Sequence, residues 1–154
     1  MPAIRTLFPV ICLVLHTALL AQCPTGNMTI LSQEDADAFG SDYPNCTTLT
    51  GDLLISGQLI TDLSAFTGVE VIEGDLRVDQ LLGSPLDLTG FNGLTHIGGS
   101  LQVTNTLPLR DLQGLNALER IAGDLVVQAC DSLKTLEGLS ALRVVEGDLL
   151  IGNV

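Results

Sequence analysis

Two hydrophobic rhythms alternate along the chain from Leu49 onward. In the first, apolar residues fall on every third position. "LSAFTGVEVIEG", "LTGFNGLTHIGG", "LQGLNALERIAG" and "LEGLSALRVVEG" all read L-x-x-(F/L)-x-x-(V/L)-x-x-(I/V)-x-G. In the second, apolar and outward positions alternate, as in "GDLLI", "GDLRV", "GSLQV", "GDLVV" and again "GDLLI". The glycines Gly51, Gly74, Gly99, Gly123 and Gly147 lie 23, 25, 24 and 24 residues apart. Leu63, Leu88, Leu112 and Leu136 each stand eleven residues ahead of the last four. So regular a period is the signature of a solenoid repeat.

Alternation with period two after each glycine predicts a short strand with one buried face. Leu76 and Val78 should point inward, and Asp75, Arg77 and Asp79 outward. The following residues vary in length and composition, which suits a surface corner. Apolar spacing of three is too tight for a regular α-helix and predicts a 3₁₀-like turn running into a second short extended segment. Two columns of small residues, Ala65, Gly90, Gly114, Gly138 and Gly68, Gly93, Ala117, Ala141, suit sharp turns or close approach of neighbouring repeats. One repeat cannot fold alone. Leu125, Val127, Leu133, Leu136, Leu139, Leu142 and Val145 bury too little to offset the ordering of their repeat. Stacking through ladders of parallel strands, spaced about 4.8 Å apart, supplies the difference. The expected fold is therefore mainly β, a parallel β-solenoid over residues 51–154.

The segment before the repeats differs. "MTILSQEDADAFGSDYPNC" predicts a short strand, then a helix with Ser32 as its N-cap and Glu34 and Asp35 in its first turn, ending near Gly40. Residues 22–50 are expected to form an amino-terminal cap over the apolar edge of the first repeat. At the other end the sequence closes on "GDLLIGNV", with Leu149 and Ile151 on an open edge. The expectation there is a solenoid that continues in a longer protein.

Residues 1–21 have Arg5 near the start, an apolar run from Leu7 to Leu20 and small Ala21, the layout of a secretory signal peptide. The run is shorter than the ~20 residues a spanning helix needs, and Pro9 and His16 interrupt it. Cleavage after Ala21 is expected; a lipoprotein cut before Cys23 is disfavoured by Gln22. The mature chain keeps 5 basic side chains against 18 acidic, a formal charge of −13. Such a surface repels phosphate backbones and anionic lipid, which argues against nucleic acid or membrane as a partner. The expected location is secreted or cell-surface, where disulfides persist. Cys23 and Cys46 bracket one compact segment and are the expected pair. Cys130 is left over, as a buried thiol or an intermolecular link.

The pattern L-x-x-L-x-x-L-x-x-I-x-G-x-L-x-I resembles the receptor L domain, a leucine-rich-repeat-like family found in ligand-binding lobes of growth-factor receptors and in secreted bacterial surface proteins. The lead-in from Cys23 to Gly57 resembles the amino-terminal cap of the bacterial group. The resemblance spans residues 23–154 and implies a right-handed β-solenoid with a binding role. Ordinary leucine-rich repeats carry an asparagine ladder after the strand; here that column reads Gly57, Gln80, Asn105, Ala129 and Asn153. No ligand-contacting residue carries over.

Candidate chemistry is sparse. The mature chain has one histidine, His96, one tyrosine, Tyr43, and no tryptophan, so no catalytic set forms around them. Asp52, Asp75, Asp124 and Asp148 recur at one outward position, with Ser100 in the middle copy. Calcium or a retaining-glycosidase carboxylate pair are weak readings of this column; a turn-favouring residue after glycine is the stronger one. The outward sheet face is the better site. Leu54, Arg77, Gln102, Val126 and Leu150 form one column, and Ser56, Asp79, Thr104, Gln128 and Gly152 the next. Such a mixed face suits an extracellular protein or glycan ligand. "NMT" at Asn27 and "NCT" at Asn45 match the N-glycosylation pattern but read as coincidental beside a bacterial-type cap. The expected function is a non-enzymatic recognition or adhesion module without a cofactor. A passive spacer is the alternative, and a polysaccharide-acting enzyme a remote third. Self-assembly through the open carboxy-terminal edge or Cys130 is a further expectation.

Overall fold

The computed structural model describes residues 23–82 and 87–152; the expected signal peptide lies outside them. The described chain is mainly β, with two parallel sheets and one α-helix. Met28–Ile30 (β1) leads into helix α1, Gln33–Asp42. The chain then alternates between two-residue and four-residue strands. The short ones are Thr48–Leu49 (β2), Val71–Ile72 (β4), His96–Ile97 (β6), Arg120–Ile121 (β8) and Val144–Val145 (β10). The longer ones are Leu53–Ser56 (β3), Leu76–Asp79 (β5), Leu101–Thr104 (β7), Leu125–Gln128 (β9) and Leu149–Gly152 (β11).

The longer strands and β1 build a six-stranded sheet in the order β1-β3-β5-β7-β9-β11; the short ones build a five-stranded sheet running β10-β8-β6-β4-β2. Every neighbour pair is parallel and one repeat apart, with Leu53, Leu76, Leu101, Leu125 and Leu149 in one register line. The threefold spacing gives 3₁₀ turns in the first two copies, Ser64–Phe66 and Thr89–Phe91; in the next two, where Gly114 and Gly138 have φ of 111° and 112°, the chain makes plain turns instead.

The core lies between the two sheets and repeats with the sequence. Leu63, Phe66, Val69, Ile72, Leu76 and Val78 are buried, as are their counterparts Leu88, Phe91, Leu94, Ile97, Leu101 and Val103 one repeat on. Phe39 of α1 stacks on Phe66 at 4.5 Å between ring centroids, and Phe66 on Phe91 at 5.4 Å, so the helix extends an aromatic column of the repeats. Ser32 caps α1: its hydroxyl accepts the Asp35 N–H, and the Asp35 carboxylate accepts the N–H groups of Ser32 and Leu31. The helix runs two residues past the expected Gly40, because the Tyr43 N–H still donates to the Phe39 carbonyl.

Cys23 and Cys46 form the expected disulfide. Cys130 is fully buried, with its thiol against the Val103 and Gln128 carbonyls, in the core column shared with Leu81 and Thr106. An intermolecular link through Cys130 would require it to leave that column. The final repeat departs from its predicted burial. Leu136 is exposed and Leu139, Leu142 and Val145 only half-buried, since these side chains are covered in the other copies by the following repeat. Leu149 is 63% exposed.

Candidate functional site

The acidic column is a device for stacking. The carbonyl-type oxygen of Asn27 accepts the Asp52 N–H, and Asp52 in turn accepts the Asp75 N–H at 2.9 Å. Asp75 accepts the Ser100 N–H at 2.8 Å, the Ser100 hydroxyl accepts the Asp124 N–H at 3.0 Å, and Asp124 accepts the Asp148 N–H at 2.8 Å. Each side chain thus reaches the backbone of the next repeat. This also explains the glycine before it: a Cβ on Gly74, Gly99, Gly123 or Gly147 would collide with the side chain arriving from the preceding repeat. The Asp75 carboxyl is held below the usual carboxylate range, first by the Ser100 N–H and further by Arg77 at 2.6 Å, against its partial burial. Among the described residues no group of three His, Cys, Asp or Glu side chains could hold a metal ion. Asp52, Asp75 and Asp124 therefore spend their carboxylates on the ladder. The same contacts involve Asn27, whose Nδ2 donates to Asp52, while Asn45 is exposed.

The sheet-face candidates come together as their spacing required. Leu54, Arg77, Gln102, Val126 and Leu150 are consecutive register partners across β3, β5, β7, β9 and β11. Ser56, Asp79, Thr104, Gln128 and Gly152 form the adjoining line. Arg77 and Leu150 are exposed; Leu54, Gln102, Val126, Asp79, Thr104 and Gln128 are half-buried. This side of the sheet is therefore open to contact, whereas its opposite side supplies the core.

One cluster on this face is more ordered than the rest. Asp79 accepts the Thr104 hydroxyl at 2.7 Å, the Asn105 amide at 2.9 Å and the Gln80 amide at 3.0 Å. Partial burial pushes its carboxyl up, but these donors outweigh it and hold the group below its ordinary range. Asp79 thus gathers three side-chain donors from its own strand's end and the next repeat.

Beyond the cluster the chain turns through the expected surface corner, in a conformation its sequence did not signal. Gln80, Asn105 and Ala129 all adopt the left-handed conformation, with φ of 54°, 52° and 52°. Past them a cavity of about 410 Å³ opens, lined by Gln80, Leu82, Asn105, Leu107, Ala129 and Asp131. Of these three, only Asn105 belongs to a residue type that favours such a turn. The exposed Leu59, Leu82 and Leu107, each two residues past the corner column, were the available signal.

No family model matches this sequence, and no curated protein matches it. Among the described residues no helix is long and apolar enough to cross a membrane.

Proposed function

We propose that the chain is a right-handed β-solenoid of the receptor L-domain type, with repeats over 51–154 behind a cap at 22–50. In this reading it is a non-enzymatic recognition or adhesion module outside the cell, binding protein or glycan through the outer face of the six-stranded sheet. The solenoid is supported by the connections: parallel neighbours are ordinarily joined by a crossover helix, whereas from β3 onward each link carries a strand of the other sheet and a tight turn. The Cys23–Cys46 disulfide favours an oxidising compartment. The recognition role rests on one observation, the continuous open face on which Arg77 and Gln102 lie between Leu54 on one side and Val126 and Leu150 on the other, in strict register. Mixed apolar and polar surface of this kind, presented by a rigid ladder, is the usual binding surface of stacked repeats.

The test is a glycan array and a panel of extracellular proteins probed with the oxidised chain and with its Leu54→Ser, Arg77→Glu, Val126→Ser triple variant. Ligands of the parent should be lost by the variant at unchanged thermal stability. A ligand retained undiminished removes the sheet face as the site. The satisfied hydrogen-bond ladder from Asn27 to Asp148 favours a second reading, a rigid spacer, under which neither protein retains anything.

A further inference from the structure

We infer that the corner cavity beside the sheet face is a seat for a lysine side chain of a partner protein's extended segment. This rests on the recognition reading above and specifies its ligand. The chemistry of the rim decides the class. Both amides at the cavity have their nitrogens turned inward: Gln80 Nε2 and Asn105 Nδ2 donate to the two oxygens of Asp79. Their carbonyl oxygens, Oε1 and Oδ1, are the groups left over, and neither accepts a hydrogen bond among the described residues. The third polar lining group is the Asp131 carboxylate, exposed and acceptor-only when ionised. Among the described residues the rim therefore offers three acceptor groups.

An ammonium carries three donors and no acceptor, so it complements this rim more fully than a sugar hydroxyl with its single donor, and a carboxylate has none. The remaining described lining residues are apolar. Leu82 and Leu107 are 43% and 46% exposed, and Ala129 completes the wall. A lysine stem lies well on such a surface while its charged head reaches polar groups at the edge. The formal charge of −12 adds long-range attraction for a cationic segment. Asp79 does not touch the ligand in this arrangement; it is a positioning residue that orients the two amides.

The probe is acetyl-Val-Lys-Val-Lys-Val-amide, titrated into the full oxidised chain at about 20 mM salt and followed by backbone amide NMR shifts. The glutamine and glutamate versions of the peptide and a neutral cello-oligosaccharide serve as comparisons. The lysine peptide should shift Gln80, Asn105, Ala129 and Asp131. It should bind roughly tenfold tighter than the glutamine peptide, about the value of one charge-assisted hydrogen bond. Leu107→Ser with Asp131→Lys, both at exposed positions, should abolish the shifts without changing the unfolding temperature. Asp79→Asn should narrow the preference for lysine over glutamine. The inference is overturned if the lysine peptide does not bind, if glutamine or glutamate peptides bind as well, or if the double variant binds unchanged. Binding of peptide or oligosaccharide that is lost only with the Leu54, Arg77 and Val126 changes overturns the cavity while leaving the sheet-face reading standing.

Discussion

The Asp75 carboxylate accepts the backbone N–H of Ser100, 2.8 Å away and one repeat further along the chain. The link joins local sequence to stacking, because the acceptor belongs to one repeat and the donor to the next. It also sets a steric condition. The residue before Ser100 must leave room for the arriving carboxylate, and Gly99 does so.

Gly99→Ala should therefore be costly although its backbone is not in the left-handed region. The new Cβ would overlap Asp75 Oδ1 and lie 2.8 Å from the Gly74 carbonyl carbon and 2.9 Å from the Asp75 nitrogen. Overpacking against backbone of this kind costs about 1–3 kcal/mol. Chemical denaturation should show that loss. Asp75→Ala in the same chain should recover only part of it, because the backbone contacts remain. Full recovery would mean the glycine serves the side chain alone.

Two carboxylates, Asp75 of the ladder and Asp79 of the sheet face, make stability depend on acidity. Asp75 and Asp79 both have folded values below the ordinary carboxylate range. A depressed folded value contributes stability that is present above the unfolded pKa of about 3.9 and lost as pH falls through the folded one. The unfolding temperature should thus fall steeply below about pH 4. Asp75→Asn should be less stable than the parent near neutrality, with the gap closing as pH falls through that window. A gap that stays constant with pH would remove the charge from the explanation.

Reduction of Cys23–Cys46 should act on the unfolded chain. The bridge spans 23 residues, a loop whose closure is worth about 3 kcal/mol in the chain-entropy account. It also holds Cys46, buried near the end of α1, and so keeps Phe39 over Phe66. Denaturation with and without reductant should differ by about that amount. A Cys130→Ala variant should show the same difference, since its thiol is not part of the bridge. Equal stability in both redox states would show that the packing of α1 on the first repeat is sufficient.

The strands and their register were legible because period-two alternation and a fixed glycine together leave a single alignment. Leu76 against Leu101 and Arg77 against Gln102 follow from it directly. Ser32 was legible as a cap because a serine there precedes Glu34 and Asp35 in the first turn; the reciprocal bond to Asp35 lay outside that reading. The burial of Leu136 and Leu139 was not, since it depends on a following repeat rather than on their own pattern. The role of the acidic column was half legible: recurrence marked it as structural, but the donor it serves lies a full repeat away. The corner at Gln80, Asn105 and Ala129 was illegible, because its conformation is imposed by stacking on residues with little preference for it.

That imposed conformation supplies the last prediction. Ala129 has φ of 52°, where an L-residue pays roughly 1–2 kcal/mol, and it has no side-chain hydrogen bond to offset the cost. Glycine there removes the penalty but loses about 0.5–1 kcal/mol to the flexibility of the unfolded chain. Ala129→Gly should accordingly raise stability by about 0.5–1 kcal/mol. Asn105→Gly should do the reverse, because the Asn105 amide donates to Asp79 and that bond would be lost. Denaturant midpoints for the two variants, measured side by side, should move in opposite directions. If both fall, the left-handed corner is relaxed in Ala129 as well, and the strain assigned to this column is absent.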